Sequence, residues 1–188
     1  RDGNEQSVLL RQFLKECDLE TIKTLIGEVQ SSVSLNSQIK GFVYQDVVNN
    51  LGQRLGFDVE FGRYRGNPNA LNHDGLWSGN NVKLLIETKA TSSYQIDLSK
   101  YISYSIKIFE KYNLDKKPPI LLVLFDENTA NLEAQIRGSR EDDKISVIGI
   151  DALTVLVEFA QNLGGGPALK AIQSSLCPRD YTRLDQLI

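Results

Sequence analysis

Apolar positions along the chain switch repeatedly between helical and strand-like spacing. From about residue 5 to residue 31, two stripes recur at helical intervals: Leu9, Phe13 and Leu14, then Leu19, Ile22, Leu25, Ile26 and Val29. "SSVSLNSQ" follows as a loop, with Asn36 or Ser37 placed to cap the next helix. In that helix Tyr44, Val47, Val48, Leu51 and Leu55 fall on one face, and Gly56 stands where a left-handed stop is expected. Phe57, Val59 and Phe61 then alternate with Asp58 and Glu60, the period of a half-buried strand.

A Gly-, Asn- and Pro-rich loop, "RGNPNALN", separates this strand from a second, "HDGLW". "SGNN" marks a hairpin turn into a third strand, "VKLLIETKA". Leu98, Tyr101, Ile102, Ile106, Phe109 and Tyr112 predict a helix that Pro118-Pro119 closes off. The continuous run "ILLVLF" reads as a strand covered on both faces. A short helix from Leu132 to Ile136, a strand "ISVIGI" and a helix "DALTVLVEFA" follow. Gly164-Gly165-Gly166-Pro167 breaks the chain before one or two short helices. That glycine run lacks the Gly-Lys-Ser/Thr ending of a phosphate loop, which argues against a nucleotide switch.

The order predicts an α/β protein. Its first three strands form an antiparallel meander, and the next two return through helices to pair in parallel by right-handed crossovers. Three segments are expected: an N-terminal helical piece (1–36) for docking or dimerisation, a core (37–163) and a C-terminal helical extension (164–188).

Composition narrows this picture only a little. The 188 residues suffice for one domain with a real core. No apolar run is long enough for a membrane span, and no secretory signal is visible. Arg1 in first place leads us to expect a processed, tagged or excised chain with neighbouring domains outside it. Cys17 and Cys177 lack metal-ligand spacing and read as the thiols of a cytoplasmic protein. The single histidine, His73, leaves no material for a histidine-rich metal site. A net charge of −3 argues against strong non-specific nucleic-acid binding, so local charge, a dimer partner or another domain must supply such affinity.

The chemistry concentrates in "HDG" and "ETK". Glu87 and Lys89 lie two apart on a strand and project to one face, while Thr88 projects away. The hairpin can return Asp74 beside Glu87. Two carboxylates there repel unless a cation lies between them, and oxygen ligands suit Mg²⁺, with the Thr88 backbone carbonyl as a third ligand. A lone Glu-x-Lys is the pattern of a surface ion pair worth about 0–1 kcal/mol. Here the pair ends an apolar strand behind an amphipathic helix, where charge incurs desolvation.

Over about Gly41 to Ile150 this arrangement resembles the restriction-endonuclease-like, or PD-(D/E)XK, nuclease superfamily. The resemblance implies a mixed central sheet (antiparallel meander plus parallel strands) flanked by helices, and Mg²⁺-dependent hydrolysis of DNA phosphodiesters, with Mn²⁺ substituting. It maps Asp74 and Glu87 to the metal-binding acids and Lys89 to the catalytic lysine. It also implies a restriction or defence setting, and a homodimer or larger assembly for double-strand cleavage. His73 stands where the name-giving motif has proline. Gln45 stands where several branches place a helix glutamate, with Asp46 next to it, and can still accept a hydrogen bond in the site. Arg63, Arg65, Gln95 and Lys100 are candidate contacts to nucleic acid. Lys107 and Lys111 read as a solvated helix face, Tyr101 and Trp77 as packing residues, and Arg137, Arg140 and Lys144 as cations offset by neighbouring acids. The rival readings are a non-catalytic binding or scaffolding module of the same fold, and a nuclease for RNA or branched DNA.

Overall fold

The computed structural model describes residues 5–64, 73–79, 82–90, 96–125, 129–141, 143–164, 166–177 and 183–185. In chain order the elements are α1 (Glu5–Glu16), α2 (Leu19–Ser31), α3 (Ser37–Arg54), β1 (Asp58–Phe61), β2 (Gly75–Gly79) and β3 (Val82–Lys89). They continue as α4 (Leu98–Tyr112), β4 (Ile120–Leu124), α5 (Ala130–Arg137), β5 (Ile145–Gly149), α6 (Ile150–Asn162) and α7 (Pro167–Ser175). Local chemistry sets several boundaries. Asn36, not Ser37, caps α3 by accepting from the Ile39 amide, and Asp97 caps α4 through the Lys100 amide. Gly56, with φ of 77°, takes the left-handed conformation that frees the chain to turn into β1.

The five strands lie side by side in chain order. β1, β2 and β3 are antiparallel, whereas β3, β4 and β5 are parallel. This is the mixed sheet the pattern predicted. Gly79 pairs with Val82 at the end of the β2–β3 ladder, while the parallel pairs are bridged by chain that carries α4 and α5.

Alternation along the strands divides the core into two layers. Trp77, Leu84, Ile86, Leu121, Val123 and Ile148 pack with α2, α3 and α6 on one face. Leu76, Leu85, Leu122, Leu124 and Val147 pack with α4 and α5 on the other. The first layer also takes in Leu14, Leu19, Ile22, Ile26 and Val29 from α1, α2 and the turn between them, and Ile172, Leu176 and Leu184 from the C-terminal part. Both ends of the chain therefore share the sheet's core. The outer edge of β5 is met by the segment around Arg183, where Leu184 donates its amide to the Val147 carbonyl. Among the described residues no helix is long and apolar enough to cross a membrane.

α3 departs from the expected one-sided stripe. Every residue from Tyr44 to Gly52 is buried, including Gln45, Asp46, Asn49 and Asn50. α1 and α2, the sheet, and α6 enclose it, so its polar side chains must find partners inside the protein. They do: Asp46 accepts from Arg11 Nε at 2.9 Å and from the Tyr64 hydroxyl, and Asn50 accepts from Arg54. Arg11 in turn covers the Phe61 ring at 4.4 Å.

The helix also lies unusually close to β2. A methyl group on Gly52 would fall inside the van der Waals envelope of the buried Trp77 indole, and one on Gly75 would overlap the Asn49 side chain. Gly52→Ala is therefore expected to destabilise the fold by about 1–3 kcal/mol through overpacking, although alanine is the better helix former. Thermal denaturation of the variant checks this; an unchanged or higher midpoint would show that the α3–β2 spacing relaxes freely.

Candidate active site

β3 runs through the middle of the sheet, and its last residues carry the charges. By the alternation that places Leu85 on the α4 face, Glu87 and Lys89 also point toward α4. Lys89 and Leu85 use their backbone groups toward β4: Leu85 donates to Pro119 O and Lys89 O accepts from Phe125. Thr88 therefore turns its backbone groups toward the β2 side, where its amide donates to Asp74 Oδ2 at 2.7 Å. Its hydroxyl donates to the same oxygen at 2.8 Å.

Asp74 is fixed by its backbone as well. Its carbonyl accepts from Gln45 Nε2 at 3.0 Å, Asn49 Nδ2 at 2.9 Å and the Gly62 amide at 3.0 Å, and its amide donates to Ile86 O. Asn49 Oδ1 closes the network by accepting from Trp77 Nε1 at 2.9 Å. The predicted residues Gln45, Asp74, Glu87, Thr88 and Lys89 thus meet in one place. Gln45 reaches the site as a donor to a backbone carbonyl, while neighbouring Asp46 turns away toward Arg11 and Tyr64.

The electrostatics are unbalanced. Glu87 is 5 % exposed, and its Oε1 is buried with no hydrogen-bond partner. Lys89 Nζ stands 3.8 Å from Glu87 Oε2, an ion pair longer than a hydrogen bond, and 5.0 Å from the centre of the Tyr101 ring. Burial pushes the Glu87 carboxyl well above the usual carboxylate range, and the charge of Asp74 pushes it further; Lys89 and Lys100 only partly offset this. For Lys89, burial pulls the other way, but Glu87 and Tyr101 outweigh it and hold the ammonium above its ordinary value. Burial raises the Tyr101 phenol, with Lys89 opposing.

The remaining candidates separate. Lys100, on the first turn of α4, acts on Glu87 through its charge and sits 5.7 Å from the Tyr104 ring centre. Arg63 is exposed and lines a polar depression beside His73. Arg65 and Gln95 lie outside the described residues. Trp77 is fully buried, as a packing residue should be, and so is unavailable to stack on a base. Arg137 and Lys144 pair with Glu133 and Glu141.

Sequence reasoning missed Asn49, which ties Trp77 to Asp74, and the Thr88 side chain; the only trace was an Asn-Asn pair inside a helix, where such residues are poor formers. Among the described residues no group of three or more His, Cys, Asp or Glu side chains converges as a metal cluster. The ligand set available here is two carboxylates and a carbonyl. No protein-family model matches the chain, and no curated protein matches it.

A carboxyl whose folded-state pKa is raised binds its proton more tightly in the folded than in the unfolded chain. The resulting penalty is absent below the ordinary carboxylate range and grows as pH rises from there through the folded value. Glu87→Gln, which cannot ionise, is expected to gain about 1–3 kcal/mol over the native chain at about pH 7 without added metal, and to lose that gain near pH 4. Melting curves across this window check it; a difference independent of pH would mean that Glu87 is not strained by its charge.

Proposed function

We propose that the chain is a metal-dependent endonuclease of the restriction-endonuclease-like superfamily, hydrolysing phosphodiester bonds in DNA. The observation that carries this reading is the meeting of Asp74, Glu87 and Lys89 at the end of a central strand, with a buried Glu87 oxygen left unpartnered. The mixed sheet, with a buried helix before its meander, agrees with that superfamily.

The residues fit a divalent cation. Asp74, Glu87 and the Thr88 carbonyl are hard oxygen donors, and a cation among them would offset the burial and the Asp74 repulsion that raise the Glu87 carboxyl. They would hold Mg²⁺, or Mn²⁺ in its place, which supplies Lewis-acid assistance to attack at phosphorus. Lys89 brings a permanent positive charge: Glu87 and Tyr101 keep it protonated, so it neutralises charge building on the phosphoryl oxygens rather than serving as the base. In the reaction, water adds to phosphorus, one P–O ester bond breaks, and a phosphate monoester and a hydroxyl end result. Thr88 aims Asp74, and Gln45 and Asn49 fix the peptide that carries it. A restriction or defence role and action as a homodimer belong to the same proposal, with the exposed Val8, Leu9 and Phe13 of α1 as the surface for a second copy.

Gln45 favours a second reading, a module of this fold that binds DNA without cutting it, because an amide there adds no negative charge to the site. Supercoiled, linear and branched DNA, and RNA, incubated with Mg²⁺, Mn²⁺ or chelator separate the readings. The native chain is expected to cut DNA only with metal, and Asp74→Asn and Lys89→Ala to lose at least about 100-fold in rate. Mg²⁺ is also expected to raise the melting temperature of the native chain and not that of Asp74→Asn. A folded native chain that binds DNA and cuts nothing would establish the second reading; equal cutting by all three chains would remove the site from the chemistry.

A further inference from the structure

The α4 face of the sheet continues beyond the carboxylates. Lys83 pairs with Ser78, and Asp58 pairs with Ser78 on the other side, so these residues line the same face as Glu87 and Lys89. α4 reaches this stretch through its last residues, Lys111 and Tyr112, and two depressions form beside them. One, of about 640 Å³, lies beside β1 and is bordered by Arg63, His73, Lys83 and Lys111. The other, of about 1050 Å³, lies toward the start of β4 and is bordered by Lys83, Lys116, Lys117 and Lys144. Ser78 and Lys83 belong to both, so the two form one trough that passes Lys83 and reaches His73, the residue before Asp74.

Six cations line the trough against four carboxylates, Asp58, Glu60, Asp115 and Asp143; with Lys144 also paired to Glu141 outside the lining, a small excess of positive charge remains on a chain whose net charge is −3. Glu60 is further occupied by the Tyr112 hydroxyl, which donates to it at 2.7 Å. Lys83 and Lys111 both lie near this tyrosine, 5.1 and 4.8 Å from its ring centre. His73, 6 % exposed, lines the end nearest Asp74 and has an Nδ1 with no hydrogen-bond partner. A buried polar atom left in this way calls for a partner, ordered water or a bound group.

We propose that this trough carries the sugar-phosphate backbone of the DNA flank on one side of the cut, with Lys83 and Lys111 as its main phosphate contacts. The inference rests on the reading of Asp74, Glu87 and Lys89 as the cleavage site. Its register follows from the strand. Lys83 lies four residues before Glu87, about 13 Å along β3 at about 3.3 Å per residue. That distance spans a few nucleotides, because successive phosphates of one strand advance about 3.4 Å along the helix axis and lie farther apart along the backbone itself. The contacts are to phosphate, so they fix register and affinity without reading sequence.

Anisotropy of a fluorescein-labelled 20-base-pair duplex in chelator, where nothing is cut, tests the trough apart from the chemistry. Lys83→Glu with Lys111→Glu is expected to weaken binding at least tenfold and to lower the salt dependence by about two phosphates' worth. Lys83→Gln with Lys111→Gln, which keeps the fold under less electrostatic stress, is expected to lose an intermediate amount. Lys15→Glu with Lys170→Glu, an equal charge change outside the trough, is expected to lose less than threefold. Native binding by the Lys83/Lys111 variants, equal losses in both glutamate pairs, or no binding by the native chain would each overturn the trough. Cleavage by the native chain beside Asp74→Asn decides the nuclease reading independently: a trough that binds while no metal yields cutting leaves the inference about binding standing and removes the reaction.

Discussion

Between α3 and β2 the Asn49 side chain and the Trp77 indole fill a narrow space, because Gly52 and Gly75 present no Cβ to the facing element. That spacing lets one amide accept from the Trp77 indole and donate to the Asp74 carbonyl at once. With Gln45 and the Gly62 amide, three donors meet a single carbonyl oxygen. Widening the contact would release the Gln45 and Asn49 donors together. The indole would then be a buried donor without a partner, at about 1–3 kcal/mol, and the Asp74 carbonyl would keep only the Gly62 amide. The packing of α3 is thus coupled to the position of the Asp74 carboxylate.

Glu87 shows why this rigidity is needed. A buried carboxylate costs several kcal/mol in lost hydration. One lysine about 4 Å away returns about 4 kcal/mol at an effective dielectric near 20, and here the nearby Asp74 subtracts from that gain. A stabilising ion pair would be expected to satisfy both oxygens, yet Oε1 is left bare. The arrangement is therefore poor as a structural salt bridge, and its donors are those the proposed cation would need. Tyr101 fits the same logic, because it supports the charge on Lys89 without adding a formal charge at neutral pH.

The element order was readable in the sequence because each element carries its own period. The two-residue alternation of Phe57 to Phe61, the unbroken run "ILLVLF" and the glycine stop at Gly56 all appear as expected. The Asp74–Glu87–Lys89 constellation was readable because a hairpin and a period of two suffice to bring it together. Asn49 was not, because its role depends on a neighbour 28 positions away and on two glycines whose value lies in the space they leave. The burial of α3 on every side was missed for a related reason. A helical stripe reports one apolar face, and nothing local tells whether the polar face meets water or another helix.

The end of β3 is special because the sheet changes character there. On one side β4 continues its parallel ladder as far as Phe125, whose amide donates to Lys89 O. On the other side β2 begins at Gly75, so the ladder has no backbone acceptor for Thr88. The Asp74 carboxylate takes that place and accepts the Thr88 amide as a strand carbonyl would. One side chain therefore completes the sheet and faces the buried Glu87. A site built at a sheet interior would be walled in by ladders on both sides, and one built on a loop would lack the fixed register. Where an antiparallel neighbour stops and a parallel neighbour continues, a carboxylate can be held by strand geometry beside a second carboxylate and a lysine.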